Sequence, residues 1–382
     1  MMKYVMLKDV CAINMGQSPD SNSYNDNGEG VPFFQGNADF GERYPVTRKW
    51  CSAPTKMSMP GDILISVRAP IGAMNYAKEE CCIGRGLAAL TPDKAKVSPE
   101  FIFWMLKGKN EELNSKGTGS TFKAIGRKVL EETLVPDIPL EKQIEYSTIL
   151  EKVYGIIQSR KHELQKLDEL AKARFVELFG DPVTNPKELP VVALGELSEL
   201  ITKGASPSWQ GFSYTDDTSQ TLFVTSENVR EGYIDLSAPK YIEDGFNEKQ
   251  KRSVIHQGDF LINIVGASIG RAAQFNLDCK ANMNQAAALV RVNDSRVRDM
   301  YLLIYLNSDR AQLMYDSMKS DTGRANLSLQ DISDLSILLP DVDQQVEFET
   351  FVEQVDKSKV AVQKALNEAQ LLFDSLMQEY FG

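Results

Sequence analysis

Residues 141–180 read EKQIEYSTILEKVYGIIQSRKHELQKLDELAKARFVELFG, and the rest of the chain is organised around this stretch. Pro139 precedes it, and Gly180 followed by Pro182 closes it, which are residues that favour the start and the end of a helix. No proline lies inside it. The sequence therefore predicts one uninterrupted helix over residues 141–181, about 60 Å long at about 1.5 Å per residue. Such a helix is several times longer than the globular average and requires a structural role of its own.

Apolar residues recur in this stretch at alternating steps of four and three, the heptad pattern of helices that pack as a coiled coil. The same steps recur 202 residues later, so the sequence predicts a second long helix over residues 341–382. Arg160, Arg174 and Lys359 interrupt the pattern, and they either set the register of the helices or face solvent. The predicted seam comprises Leu150, Val153, Ile157, Leu164, Leu167, Val352, Val355, Val362, Leu366, Phe373 and Leu376.

The segments that precede the two helices also repeat each other. The turn GQSP at 16–19 returns as GASP at 204–207, and GDILI at 61–65 returns as GDFLI at 258–262. Scaffold positions recur while the intervening loops differ in length and content. One fold is therefore predicted to carry two different surfaces.

The fold class that these patterns predict is α+β, with two similar strand-rich, mixed α/β domains that are each followed by a long helix. The whole is an internal pseudo-two-fold repeat. Strand patterns cover residues 31–35, 63–67 and 83–90, and residues 101–106 have the pattern of a buried helix. The predicted segments are 1–140, 141–181, 182–340 and 341–382.

Composition excludes several classes of protein. No run approaches the 18 or so apolar residues that a membrane span requires, and the first ten residues do not resemble a signal peptide. The five cysteines are odd in number and lack C-x-x-C spacing, which is typical of reduced thiols in a cytoplasmic protein. Only two histidines are present, so a histidine-based metal or catalytic site is not expected. No phosphate-binding loop and no paired-proline motif of adenine methyltransferases occurs.

The net charge of −11 is unevenly distributed along the chain. Residues 1–140 carry 17 Lys and Arg against 16 Asp and Glu, whereas residues 341–382 carry 3 against 9. More than half of the excess negative charge therefore lies on the last predicted helix. A nucleic-acid reader of this composition is expected to bind weakly alone and to depend on positively charged partners.

In this order, and twice, the motifs resemble those of type I restriction–modification specificity (S) subunits, and the resemblance covers essentially the whole chain. It implies that each globular segment is a target-recognition domain for one half of a split, asymmetric sequence in double-stranded DNA. It implies that the helices pack antiparallel as a coiled coil that spaces the half-sites. It also implies that two adenine methyltransferase (M) subunits and the restriction/translocase (R) subunits assemble on this frame. S-adenosylmethionine, ATP and Mg would be bound by those partners, and this chain would hold no catalytic residue, metal or cofactor.

Candidate DNA contacts are the polar residues on loops beside the repeated scaffold, because Arg, Lys, Asn and Gln read base edges and Lys, Arg, Ser and Thr hold phosphates. Arg85 aligns with Gln285, a pair suited to guanine and adenine, but both lie in apolar strand patterns that favour a structural role. Trp104 is predicted in the core and Trp209 in an exposed polar loop. The candidates are Gln17, Ser18, Arg68, Arg85, Ser120, Thr121, Lys123, Arg127, Lys203, Ser206, Asn228, Arg271, Arg324 and Asn326.

Two other interpretations are compatible with the sequence. One is the recognition subunit of a related restriction system that cuts on both sides of its site, which a fused nuclease–methyltransferase partner would indicate. The other is a coiled-coil adaptor that binds only protein, which would leave every partner's activity independent of DNA.

Overall fold

The computed structural model describes residues 3–119, 123–318 and 326–382. Its two longest helices, Leu140–Phe179 and Val342–Phe381, contain 40 residues each and confirm the two predicted long helices. Contacts divide the chain into two units, one formed by Met1–Glu163 with Val362–Gly382 and the other by Leu164–Ala361. Each unit holds one globular segment and parts of both long helices.

The first unit is built on a four-stranded antiparallel sheet in the order β2-β10-β7-β8. A second sheet has the order β3-β5-β4-β9-β6, with a parallel pair between β4 and β9, and β1 pairs with β11. The strands are β1 (Tyr4–Met6), β2 (Cys11–Met15), β3 (Tyr24–Asn25), β4 (Val31–Phe34), β5 (Trp50–Cys51), β6 (Met57–Ser58), β7 (Ile63–Ser66), β8 (Met74–Tyr76), β9 (Cys81–Ile83), β10 (Leu87–Pro92) and β11 (Leu134–Pro136). The helices are α1 (Leu7–Val10), α2 (Pro99–Gly108), α3 (Asn110–Ser115), α4 (Arg127–Glu131) and α5 (Leu140–Phe179).

The second unit has a similar topology, with four strands instead of five in its second sheet. Its sheets have the orders β13-β20-β17-β18 and β14-β16-β15-β19, β15 and β19 are parallel, and β12 pairs with β21. The strands are β12 (Val191–Ala193), β13 (Ser198–Lys203), β14 (Tyr214–Thr215), β15 (Thr221–Val224), β16 (Tyr241–Ile242), β17 (Phe260–Asn263), β18 (Ala272–Gln274), β19 (Ala281–Met283), β20 (Ala287–Val292) and β21 (Ser336–Leu338). The helices are α6 (Leu194–Leu197), α7 (Pro207–Gln210), α8 (Gly245–Lys249), α9 (Asp299–Leu306), α10 (Asp309–Met318), α11 (Leu329–Ser333) and α12 (Val342–Phe381).

The central strand of each unit is buried on both faces, which explains its continuous apolar sequence. In β7, Ile63 and Ile65 join the helix-containing core while Leu64 joins a second core under the other sheet. In β17, Phe260 and Ile262 face the helices and Leu261 faces the second core. The alternation of side chains along a strand thus places one sheet between two hydrophobic layers.

A glycine is required where the first turn of each unit crosses the scaffold. A Cβ at Gly16 would lie 2.1 Å from the carbonyl oxygen of Gly84, and one at Gly204 would lie 1.8 Å from that of Met283. Any other residue would push these segments apart. The repeated glycine therefore records the same close approach in both units.

The long helices pack antiparallel within each unit. In the first unit, Tyr146 stacks on Tyr380 at 3.9 Å between ring centroids, and Tyr154 lies 6.3 Å from Phe373. In the second unit, Phe175 and Phe179 both meet Phe348 edge-on at 5.5 Å. All the predicted seam residues are buried or half-buried in these units.

Two of the polar interruptions of the seam form ion pairs between the helices of the second unit. Arg174 bonds Glu347 at 2.5 Å, and Lys359 bonds Asp168 at 2.7 Å. Burial opposes the charge of Lys359, yet Asp168 and Asp356 together raise its pKa. Arg160 instead pairs with Glu163 on its own helix. These contacts favour a role in register for Arg174 and Lys359.

The single strand predicted over residues 83–90 is wrong. The structure has two strands there, β9 and β10, joined by a turn at Gly84, Arg85 and Gly86. The two glycine amides donate to Phe34 and Gln35 of the neighbouring β4 segment, which ends β9 early. The predicted strands at 31–35 and 63–67 and the helix at 101–106 are confirmed as β4, β7 and α2.

All five cysteines are free thiols, and Cys11, Cys51, Cys81 and Cys82 are buried. Burial raises the pKa of Cys11 and of Cys81 to about 12. Among the described helices, none combines the length and the apolar character needed to span a membrane.

Candidate nucleic-acid interface

The predicted contact residues of the first unit gather at one end of its central sheet. Ser18 follows β2, Arg68 follows β7, and Arg85 precedes β10. The side-chain Nε of Arg85 donates to Ser18 Oγ at 3.2 Å, and the backbone amide of Ala69 donates to Lys123 O at 2.9 Å. Residues that are far apart in sequence therefore lie on one surface at the ends of neighbouring antiparallel strands. Arg68, Arg85 and Lys123 are exposed there.

Arg68 and Arg85 also line a common cleft of about 360 Å³. The opposite wall is the segment after β4, which includes Gln35, Asn37 and Asp39. Asp39 accepts the backbone amide of Gln35 at 2.7 Å, so its carboxylate folds this segment. Two guanidinium groups beside amide side chains form a surface able to hold phosphates and read base edges.

The remaining candidates of the first unit divide into three cases. Gln17 is exposed on the turn after β2. Arg127 is exposed at the start of α4, where it donates to Ile13 O at 2.5 Å and pairs with Glu131 at 3.4 Å. Ser120 and Thr121 lie outside the described residues.

The second unit presents the matching end of its sheet. Lys203 ends β13, and Asn326 forms an isolated bridge with Val265 just beyond β17, as Ala124 does with Arg68 in the first unit. Gln285 occupies the turn between β19 and β20 and is exposed, as its counterpart Arg85 is. The same strand ends therefore carry a different set of side chains in each unit.

Ser206, Asn228 and Arg271 are less accessible than Lys203 and Asn326. Ser206 is half-buried at the start of α7, where its Oγ lies 3.1 Å from Ser208 Oγ. Arg271 is half-buried in the hairpin between β17 and β18. Arg324 lies outside the described residues.

Asn228 is a structural residue in this geometry. It is 6% exposed, and its Oδ1 accepts the amide and the hydroxyl of Thr225 at 2.9 and 3.0 Å. Its Nδ2 donates to Asp235 O at 3.0 Å. It folds the segment after β15 as Asp39 folds the segment after β4, so a base contact would break bonds that the loop needs.

Two groups beside the candidate surfaces have shifted pKa values. Burial raises the pKa of Tyr24, whose hydroxyl donates to Pro19 O at 2.9 Å and supports the turn that carries Ser18. A hydrogen bond from Lys240 lowers the pKa of Glu227, on the loop that follows β15. Within the described ranges, no three His, Cys, Asp or Glu side chains are grouped as metal ligands would be.

Comparison of the sequence with known protein families identifies the family of this chain. The sequence profile described as "Type I restriction modification DNA specificity domain" matches residues 1–169 and 186–370. The chain belongs to that family. The two matched stretches contain both sheet ends, so each candidate surface lies within a matched stretch.

Individual relatives carry the same description. A putative MjaX specificity subunit from Methanocaldococcus jannaschii is 42% identical over 167 residues, which is 44% of this chain and 39% of that protein. The match therefore spans less than half of either chain. The EcoBI specificity subunit of Escherichia coli is 22% identical over 340 residues, covering 84% of this chain and 72% of the relative.

Solved structures share the fold. The S subunit of a type I restriction-modification system from M. genitalium superposes with a TM-score of 0.59 at 14% identity, covering 100% of this chain and 96% of that one. A chain from a structure of complex assembly in the type I R-M system gives a TM-score of 0.61 at 18% identity, covering 99% and 97%. At these identities the likeness concerns the fold.

Sequence reasoning missed or set aside several residues of this surface. The sequence pattern places Arg85 and Gln285 in strands, but both residues lie in exposed turns. Gln35 and Asn37 fall at the end of a predicted strand and have no motif of their own. Only the packing of β4 against β9 brings them to Arg85.

Proposed function

We propose that this chain is the DNA-specificity subunit of a type I restriction–modification complex, in which each unit reads one half of a split, asymmetric target in double-stranded DNA. The observation that carries the proposal is the repeated sheet end. The same turns at the ends of matching strands present Ser18, Arg68 and Arg85 in one unit and Lys203, Gln285 and Asn326 in the other. One backbone with two side-chain sets suits the reading of two different half-sites.

The long helices are proposed to form a continuous antiparallel coiled coil that sets the distance between the half-sites. Support comes from the antiparallel aromatic and ionic contacts within each unit, at Tyr146–Tyr380 and at Lys359–Asp168. Half-sites one DNA turn apart require about 34–36 Å between centres. A helix of about 60 Å, partly covered by the globular segments, is of that scale.

The chemistry is assigned to partners. Two adenine methyltransferase subunits and the restriction/translocase subunits would assemble on this frame and would bind S-adenosylmethionine, ATP and Mg. The acidic C-terminal segment is consistent with this division, because a chain of net charge −11 gains affinity for DNA from basic partners. A family described by DNA specificity also favours this function over a protein-only adaptor.

The test is a map of adenine methylation by long-read sequencing in cells that carry the cognate methyltransferase with and without this chain. The proposal predicts a split, asymmetric motif with one methylated adenine in each half, present only with the chain. A methylation pattern that persists without the chain would contradict it. Purification of the partners then identifies the system, because a fused nuclease–methyltransferase partner would indicate the related restriction class.

A further inference from the structure

Trp209 is the most exposed of the large apolar side chains in the described part of the protein, with 87% of its surface accessible. It lies on α7, the single helical turn that follows the end of β13. Burial of an exposed indole is strongly favourable. A complex in which a second molecule covers Trp209 would therefore be stabilised.

The turn that carries Trp209 is fixed on both sides. Pro207 is buried at its start, and Gly211 closes it with φ of +84°, a conformation that favours glycine. Phe212 packs edge-on against Phe246 at 5.5 Å, and Lys249 Nζ donates to Gln210 O at 2.8 Å. These contacts fix the backbone of the turn, while the indole of Trp209 is exposed to solvent.

The surroundings of Trp209 are polar and belong to the candidate interface. Lys203 is exposed at the end of β13, four residues before α7, and Gly204 packs on Met283 just before the Gln285 turn. Ser206 and Ser208 add hydroxyls on the same turn. An exposed aromatic ring on a turn that carries hydroxyls and follows Lys203 in the chain matches the pairing of stacking and phosphate contacts used in nucleic-acid binding.

In the first unit, the matching turn at residues 19–23 contains no aromatic residue. Two residues after the matching proline, Pro19, stands Ser21, in a short turn whose aspartate Asp20 caps Asn22 at 2.9 Å. Tyr24 then stacks on Phe33 at 4.6 Å between ring centroids and is half-buried. The two half-sites would therefore be contacted by different means.

We propose that Trp209 is a base-contacting residue of the second half-site, and that its indole enters a base step and stacks on a nucleobase. The inference rests on the proposed function, because it needs the second unit to bind DNA. Apolar wedges of this kind partly unstack the duplex and favour sequences that deform easily. Trp209 would thus add discrimination by duplex deformability to the hydrogen bonds that Lys203, Gln285 and Asn326 offer.

The experiment uses the full chain in complex with its methyltransferase and a duplex containing the methylated motif. Trp209→Ala is expected to raise the Kd about 5- to 150-fold, the range for loss of one aromatic–base stack, while Trp209→Phe retains much of the affinity. Tyr4→Ala, which removes another exposed aromatic residue outside the interface, is the matched control and should bind as wild type. On a duplex with a scrambled second half-site, wild type and Trp209→Ala should bind equally.

Fluorescence supplies an independent readout. The emission of Trp209, obtained as wild type minus Trp209→Ala, should be quenched when the cognate duplex binds. Equal Kd values for wild type and Trp209→Ala together with unquenched emission would overturn the inference while leaving the proposed function intact. Loss of methyltransferase from the purified Trp209→Ala complex would also overturn it, because the indole would then be a protein contact. Failure of the wild-type complex to prefer its motif would instead refute the proposed function.

Discussion

At the scale of single residues, the two units bind a matching buried aspartate with different partners. In the second unit Asp259, 2% exposed, accepts from two of the three guanidinium nitrogens of Arg291, Nε to Oδ1 at 2.8 Å and Nη2 to Oδ2 at 2.7 Å. In the first unit the matching Asp62 accepts neutral hydroxyls from Ser58 at 3.0 Å and Thr91 at 2.7 Å. Asp259 of the second unit is therefore bound by a cationic side chain, whereas Asp62 of the first unit is bound by neutral ones.

Arg291→Met should therefore destabilise the second unit by about 3–5 kcal/mol, because it leaves a buried carboxylate without its partner. Urea denaturation followed by circular dichroism measures the effect. Arg296→Met is the control, since Arg296 pairs with Asp294 at an exposed position and its loss should cost less than about 1 kcal/mol. An equal loss of unfolding free energy in both variants would show that the Asp259–Arg291 pair stabilises the protein no more than the exposed pair does.

Residue identity alone predicted the exposure of some candidate DNA-contact residues and not of others. Arg68 and Lys203 are candidates because they are polar residues beside the repeated scaffold, and both are exposed at strand ends. Asn228 satisfied the same criterion, but its side chain is consumed by Thr225 and Asp235. Loop asparagines form local turns as readily as they contact ligands, so their role depends on backbone geometry that the sequence does not specify.

At the scale of elements, the loop over residues 36–49 is attached to a long helix in the first unit. Arg43 forms an ion pair with Glu151 of α5 and lies over the rings of Tyr76, Phe103 and Trp104, at 4.6 Å from the centroid of Phe103. Trp104 Nε1 donates to the same carboxylate at 2.9 Å. The start of this loop lines the cleft with Arg68 and Arg85.

Arg43→Met should loosen this loop and cost about 1.5–3 kcal/mol, the loss of a charged hydrogen bond in a shielded setting. Hydrogen exchange by mass spectrometry should show faster exchange over residues 36–49 and unchanged exchange over the loop at 226–240. Lys142→Met removes an exposed pair with Glu145 on α5 and serves as the control. Unaltered exchange in Arg43→Met would show that Asn75, which bonds Gly41 at 3.0 Å, suffices to hold the loop.

Elements were predictable where one pattern dominated. Heptad spacing found both long helices within two residues of their observed ends, because the seam is uninterrupted by proline. The boundary between β9 and β10 was missed because Gly84 and Gly86 resemble small strand residues until β4 is placed beside them. Pairing of β4 with β9 is non-local, and no local signal encodes it.

At the scale of the whole molecule, the proposed coiled coil makes the length of the helices set the spacing of the target half-sites. Four residues inserted in each long helix, after His162 and after Lys364, should lengthen the spacer by about 6 Å and keep the apolar faces nearly in phase. The methylation motif of this variant should keep both half-site sequences and gain base pairs between them. An unchanged spacer would show that the helices do not measure distance, and substitution of four residues without insertion controls for the altered sequence.

The most direct test of two independent readers is the methylation motif of the double variant Arg68→Ala, Arg85→Ala. Both residues line the cleft of the first unit and are exposed, so their removal should leave the fold intact. We predict relaxed or weakened sequence preference in one half of the motif, with the sequence of the other half and the spacer unchanged. Equal changes in both halves, or no change in either, would contradict the assignment of one half-site to each unit.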